Sequence, residues 1–420
     1  MKINLKAFTL VELLIVITII GVISGLVTVY FNTARMAARD ARRLADVKQV
    51  QLALKMYYSD LGYYPTVITI GQSIANGGTN YLLRVPSNPE PRDDNGCLDQ
   101  DYTYYRLDNG ERYSLGFCLG DKTDDLDAGI HVATANGILN CPTGYVAVPG
   151  SSVFQTNDFC VMQYEAKCAL TSDLSSGLAD GYETVNNTYD NSTYPCTSAN
   201  SKQVVSITSG YPIANINRAT AETYCQSIGG HLITNPEWMS IVRNAELVAN
   251  ATEDYSNWDG NTIGSGSMPM GIINQNLSAE ATNEFFGECP CTVADRRTLV
   301  LTSGQKIWDI AGSVSEWLNT TCQEGTASGE YYYSGSYVEW SLDSPSGVLS
   351  YERGVAGPSS ATYNHSSNGI GQYEGCASDG YYFIRGGNAN ESESNIAGVY
   401  NLYSDVGTSS VGMLGFRCVK

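Results

Sequence analysis

The sequence predicts an α+β chain: a long N-terminal helix carrying a small antiparallel-sheet head, followed by a larger, loop-rich domain. Three observations lead there. An apolar run ending at Phe31 passes into a stretch, Asn32 to Asp60, that has neither proline nor glycine. Two alternating runs flank the turn sequence Asp108-Asn109-Gly110. Beyond residue 136 the chain is rich in Gly, Ser, Asn and Tyr, and helical periodicity survives in only two places.

The first 31 residues pose an anchoring problem. A basic leader, MKINLKA, precedes FTLVELLIVITIIGVISGLVTVYF, whose one carboxylate is Glu12. The uncharged residues Leu13 to Phe31 would reach roughly 28 Å as a helix, close to the thickness of a bilayer's hydrocarbon core. A secretory signal carries its small-residue cleavage site after the apolar run. Here the small-residue junction, Ala7-Phe8, lies before it, so cleavage would leave the helix on the mature chain. A carboxylate at membrane depth is costly unless a cation neutralises it. A plain signal anchor, with Glu12 near the headgroups, is the alternative reading. Gly21 and Gly25 form a small-xxx-small pair that lets helices approach closely.

From Asn32 onward the helix is rich in Ala, Leu, Arg and Lys, with Leu44, Val47, Leu54 and Tyr58 near one face. Gly62 suits its C-terminal cap and Pro65 forbids continuation. The head, 62–136, contains the hairpin: Tyr102 to Arg106 pairs with Tyr113 to Cys118. After it, GDKTDDLDAG places Asp121, Asp124, Asp125 and Asp127 in one loop, where clustered hard oxygens suit calcium and a solvated acidic turn accounts for the same residues. Gly, Pro and Cys then cluster in a linker, and the large domain runs from 141 to 420. Within it Asn217 to Gly230 reads as a helix ending in glycine, and Thr234 with Glu237 forms a capping box ahead of a second helix. IWDIAGSVSEWL, YYFIRGG and VGMLGFRCV read as short strands.

Charge narrows the function. The first 60 residues hold eight Lys/Arg and four Asp/Glu, leaving residues 61–420 at a net −23. Such a field repels nucleic acid, which needs a basic footprint. Lys2 and Lys6 keep the leader cytoplasmic, so everything after Phe31 is exported. Twelve cysteines fit that side, without the paired spacing of a zinc site. Closing a Cys97–Cys118 loop would contribute on the order of 3 kcal/mol in the chain-entropy model.

The N-terminal residues resemble type IV prepilins and type II secretion pseudopilins, whose peptidase cuts a basic leader just ahead of Phe-Thr-Leu-x-Glu-Leu. The resemblance implies that 1–7 is a leader ending at Ala7, where the family usually carries Gly. It implies that Phe8 becomes the N-methylated first residue and that 8–61 is the pilin helix, with 8–31 the transmembrane segment and filament core. Glu12 would then neutralise the new amine of Phe8 on a neighbouring subunit and set axial register. Residues 62–136 resemble the pilin globular head.

The remainder resembles the formylglycine-generating-enzyme-like, sulfatase-modifying domain, a variant of the C-type lectin fold. The carriers are Phe159 to Lys167, Ala221 to Cys225, His231-Leu-Ile-Thr-Asn-Pro-Glu-Trp, Trp308 to Trp317, Arg385-Gly-Gly and Gly415-Phe-Arg-Cys. Oxygen-using members carry reactive cysteines after Arg-Gly-Gly, and NANESESNIAGVYNLYS supplies none. Iron-binding relatives need a histidine cluster, and this chain has His131, His231 and His365. The family's Gly-Asn-x-x-Glu-Trp calcium segment reads Gly312-Ser-Val-Ser-Glu-Trp, leaving Glu316 and backbone carbonyls as ligands. The resemblance pairs Cys225 with Cys418 and, as a second bridge, Cys141 with Cys160.

Abundant tyrosine beside Ser, Asn and Gly makes an adaptable contact surface. Asn-x-Ser/Thr triplets at Asn186, Asn191, Asn250, Asn276, Asn319, Asn364 and Asn390 are glycan-acceptor candidates. Together these features point to a non-enzymatic pilin-like filament subunit, minor or tip-associated. It would display a lectin-like domain to a glycan or protein surface ligand. Its partners would be other pilin subunits, prepilin peptidase, the pilus assembly machinery and the inner membrane, and its destination the extracellular filament. A secretion pseudopilin, a major pilin with a decorated exterior and a membrane-tethered modifying enzyme are the alternatives.

Overall fold

The computed structural model describes residues 10–179, 181–182, 188–249, 256–260, 262–271, 296–322, 337, 339–340, 356–360, 362–374, 376, 378, 380–389, 397–410 and 413–420. Ala7 and Phe8 lie outside them, as do the side chains of residues 22 and 24–30.

Helix α1 spans Leu10–Leu61, 52 residues. It ends where expected: Gly62 takes φ +76° and its N–H donates to the Tyr58 carbonyl at 2.8 Å. Among the described residues no helix is long and apolar enough to cross a membrane, and the segment expected to span, 8–31, contains residues outside that description. In the outer half, Leu44, Val47, Val50, Leu54 and Tyr57 recur at helical spacing and are buried. They pack on a four-stranded antiparallel sheet of Thr103–Leu107, Arg112–Leu119, Gly129–Thr134 and Gly137–Ile138, in that order. The expected hairpin forms with Tyr104 opposite Leu115 and Leu107 opposite Arg112.

A buried polar lock fastens α1 to the head. Arg43, fully buried, donates to Asp40 Oδ1 at 2.7 Å and Asn88 Oδ1 at 2.8 Å, and lies 2.9 Å from Asp94. Asp40 in turn accepts the backbone N–H groups of Gly120 and Asp121, each at 3.0 Å. Because every one of these charges is paired, deleting one partner would strand another in a dry site, a loss of about 3–5 kcal/mol.

The C-terminal domain is built on two four-stranded sheets. One runs His231–Leu232, Cys418–Val419, Phe159–Met162, Tyr145–Val148; the other runs Gly398–Asp405, Tyr382–Gly386, Ser315–Thr321, Leu414–Gly415. Strand alternation splits its interior in two. Val161, Leu318 and Phe383 face one core, while their neighbours Met162, Trp317 and Ile384 face the other. Helix α2, Arg218–Ser227, is capped by the Asn217 side chain accepting from Thr220 N–H. Helix α3, Asn235–Glu246, carries the expected Thr234/Glu237 capping box. Cys97–Cys118, Cys141–Cys160 and Cys225–Cys418 are bonded, and so are Cys168–Cys196 and Cys322–Cys376.

The head and the C-terminal domain share a polar seam on the sheet face opposite α1. At the hairpin turn Asp108 accepts from Ser151 Oγ at 3.0 Å and Ser152 N–H at 2.6 Å. Asp158 accepts from Thr134 Oγ1 at 2.7 Å, Asn136 Nδ2 at 2.9 Å and Gly150 N–H at 2.8 Å. Gln305 bridges the two units, donating to the Ile130 carbonyl at 2.9 Å while accepting Ala147 N–H at 3.0 Å. Gly116 is required there, because a Cβ would stand 2.7 Å from the Ser303 carbonyl oxygen.

Candidate functional site

The motif residues of the C-terminal domain converge on a buried charge cluster. Trp308 closes one strand, and the chain then turns through Asp309, Gly312 and Ser313, all at positive φ, before Ser315–Thr321 begins. Arg297 holds Asp309 in a two-point grip, Nε to Oδ1 at 2.8 Å and Nη2 to Oδ2 at 2.6 Å. Arg417, wholly buried, holds Glu316 with Nε 2.9 Å from both oxygens and Nη2 2.7 Å from Oε1. Its remaining donors reach the carbonyls of Met162, Trp308 and Asp309 at 3.1, 2.9 and 3.1 Å. A third carboxyl, Glu165, lies 2.9 Å from Ser313 Oγ and accepts Val314 N–H at 3.1 Å. Burial, then the neighbouring charges of Asp309 and Glu316, push Glu165 well above the usual carboxylic range. Glu165 thus favours its protonated form beside the two guanidiniums and the carboxyls of Asp309 and Glu316.

This cluster holds the fold together. Trp317 Nε1 donates to the Ile216 carbonyl at 3.0 Å, and Arg385 donates to Asn235 Oδ1 at 2.7 Å and the Ala356 carbonyl at 2.8 Å. Each motif side chain is engaged by the protein itself.

The carboxylates expected to bind calcium are not brought together. Glu316 is taken by Arg417. Thr123 and Leu126 exchange backbone hydrogen bonds at 2.9 and 3.1 Å, making a tight turn with Asp124 at φ +55°. Within it Asp127 pairs with Lys122 at 3.3 Å, Asp121 accepts Lys122 N–H at 2.8 Å, and Asp125 accepts from Asn140 through its carbonyl at 2.8 Å. Among the described residues no group of three or more His, Cys, Asp and Glu is placed to hold a metal ion. The histidines are separate as well. His131 lies 2.8 Å from the Asp127 carbonyl and is pushed below its ordinary value by burial. His231 sits 2.7 Å from Glu237, which raises it, and His365 Nδ1 accepts Gly371 N–H at 3.1 Å.

Sequence reasoning missed a feature of the seam, a cleft of about 650 Å³ between the head hairpin and α3. Tyr104, Tyr105 and Arg106 form one wall, and Ser240, Arg243 and Asn244 the other. The walls lie more than 130 positions apart in sequence, so no local pattern signals them. Tyrosine abundance was the one available hint.

Comparison with known proteins adds to this geometry. Residues 4–28 match the prokaryotic N-terminal methylation motif, and residues 151–420 match the sulfatase-modifying factor enzyme 1-like domain. The chain is 31% identical over 85 residues to the type II secretion system core protein G of Vibrio cholerae, covering 20% of this chain and 53% of that protein. It is 30% identical over 95 residues to the protein of the same name from Escherichia coli, covering 20% of this chain and 66% of that one. The chain thus spans about half to two thirds of the length of these curated relatives. Among solved structures, it is similar to Treponema denticola variable protein 1 at 13% identity, covering 76% of this chain and 98% of that one, with a TM-score of 0.27. A second is the Major Tropism Determinant P3c variant at 12% identity, covering 78% and 77%, also with a TM-score of 0.27. The chain belongs to the sulfatase-modifying factor enzyme 1-like domain family and carries that domain behind a prokaryotic N-terminal methylation motif.

Proposed function

We propose that this chain is a minor or tip-associated subunit of a type IV pilin-like filament, and that its lectin-like C-terminal domain recognises a surface instead of catalysing a reaction. One observation carries the reading. The methylation motif at 4–28 runs directly into α1, and the outer half of that helix is locked into a head that is itself welded to the C-terminal domain. An assembly element joined firmly to a large exported domain is a display device.

In this reading the apolar segment 8–31 sits in the inner membrane before assembly. Prepilin peptidase frees Phe8, and Glu12 meets the amine of a neighbouring Phe8 in the filament. The non-catalytic part of the reading rests on the residue types present. No cysteine follows Arg385-Gly386-Gly387 before Cys418, and the ten described cysteines are all committed to disulfides.

The likeness to type II secretion core protein G favours a second reading, a pseudopilin of a periplasmic assembly. Immunogold labelling of the C-terminal domain separates the two. Label at the ends of extracellular filaments is expected, whereas label confined to the periplasm establishes the pseudopilin. In parallel, Glu12→Ala is expected to leave the folded chain in the membrane and out of filaments; normal incorporation refutes the assembly role.

A further inference from the structure

We infer that the cleft between the head hairpin and α3 binds a saccharide carrying a carboxylate, such as a hexuronic acid residue. The inference rests on the surface-recognition reading and gives it a site and a ligand class. The cleft's 650 Å³ falls within the roughly 300–1,000 Å³ typical of small-ligand sites, and its walls come from two units that the seam holds in fixed register.

The walls are organised before any ligand arrives. Tyr104 donates its hydroxyl to the Pro65 carbonyl at 2.7 Å. Ser240 Oγ stands 2.8 Å from Thr156 Oγ1 and 2.9 Å from the Pro236 carbonyl. The Asn244 amide is held at both ends by Thr302, each contact 2.9 Å. Side chains fixed in this way lose little entropy on binding. Tyr105, half-buried, offers a rigid ring and a hydroxyl that makes no hydrogen bond to the described residues, a surface on which the C–H face of a sugar packs.

Charge sets the ligand class. The cleft's two carboxylates are already committed. Asp108 accepts from Ser151 and Ser152, while Glu246 accepts the Tyr400 hydroxyl at 2.5 Å and Ser359 N–H at 3.1 Å. Arg106 is different. It forms no ion pair among the described residues: Nη1 reaches Thr66 Oγ1 at 3.3 Å, Nη2 reaches the Asn109 carbonyl, and Nε is buried without a partner. In a chain of net charge −19, a guanidinium that lines a cleft beside Tyr104 and Tyr105 and forms no ion pair among the described residues is matched by an anion that the ligand brings.

The test titrates the detergent-solubilised full chain with disaccharides ending in a hexuronic acid and with the same disaccharides ending in the neutral hexose. The uronate series is expected to bind at least about tenfold more tightly, the scale of one charge-assisted contact. Arg106→Gln should bring the two series level, Arg106→Lys should restore part of the difference, and Tyr105→Ala should weaken both by about tenfold. Melting temperatures of the variants serve as the folding control. Equal binding of acid and neutral sugars by the native chain overturns the inference. So does uronate binding that both cleft variants leave untouched, which would move the site elsewhere and spare surface recognition. Native filaments that adhere to cells while the chain binds no saccharide sink the ligand class alone; loss of all adhesion sinks both readings.

Discussion

Two nearly isosteric substitutions in one buried cluster should have opposite consequences. Glu316→Gln removes the charge that Arg417 grips through three contacts of 2.7–2.9 Å, in a place where neither side chain meets solvent. The new amide also turns an NH₂ group toward guanidinium donors. Stranding a buried cation costs about 3–5 kcal/mol. For a unit of this size that is a fall in melting temperature of about 6–20 °C. Glu165→Gln should behave quite differently. Burial and the neighbouring carboxylates favour the neutral form of Glu165, so a neutral amide should fill its place to within about 1 kcal/mol. The pH dependence has a definite sign. The folded chain keeps a proton on Glu165 that the unfolded chain loses above its ordinary value of 4.5. Its contribution is therefore complete below that value and is lost as pH rises through the elevated folded value. Glu165→Gln should flatten that slope. Thermal melts of the two variants and the native chain between pH 4 and pH 8 decide the matter. If Glu165→Gln falls as far as Glu316→Gln at neutral pH, Glu165 is ionised in the fold, and the cluster does not balance two guanidiniums against two carboxylates.

Two further outcomes follow from the same physics. Replacing Cys225 and Cys418 together by serine opens a bridge 193 residues apart, worth about 5 kcal/mol in the chain-entropy model; chemical denaturation showing a loss near that of the 21-residue Cys97–Cys118 bridge, about 3 kcal/mol, would contradict that model. His231, raised by its hydrogen bond to Glu237, contributes fully below pH 6.5 and loses that contribution as pH rises through its higher folded value, a small effect because the side chain is 44% exposed. An NMR titration should place the His231 midpoint above 6.5, and His231→Gln should remove this part of the pH slope; a midpoint at or below 6.5 contradicts the Glu237 contact.

Much of the architecture was legible because local chemistry fixed it. The Asn32–Asp60 stretch had no breaker and a clear apolar face, so α1 and its glycine stop followed from helix geometry. Asp108-Asn109-Gly110 selected the hairpin turn, and Thr234 with Glu237 marked the start of α3. The acidic loop and Glu316 show where such reasoning ran out. Four aspartates close in sequence suit either calcium or a solvated acidic turn, and only the folded chain shows the turn at Asp124 and the pairing of Asp127 with Lys122. Glu316 looked like a ligand from its motif, yet its partner Arg417 lies 101 positions away. The bridges Cys168–Cys196 and Cys322–Cys376 had no local signature at all.

By itself the sequence determined the elements whose energies are local: the long helix, its caps, the hairpin, and the ordered motifs of the C-terminal domain. Only the tertiary structure decided which charges meet. Placing Arg417 against Glu316, Arg43 against Asp94, and the head hairpin across from α3 depends on contacts between residues far apart in the chain. Desolvation, which makes a pairing compulsory or leaves a cleft open, is a property of the packed interior and not of any stretch of residues.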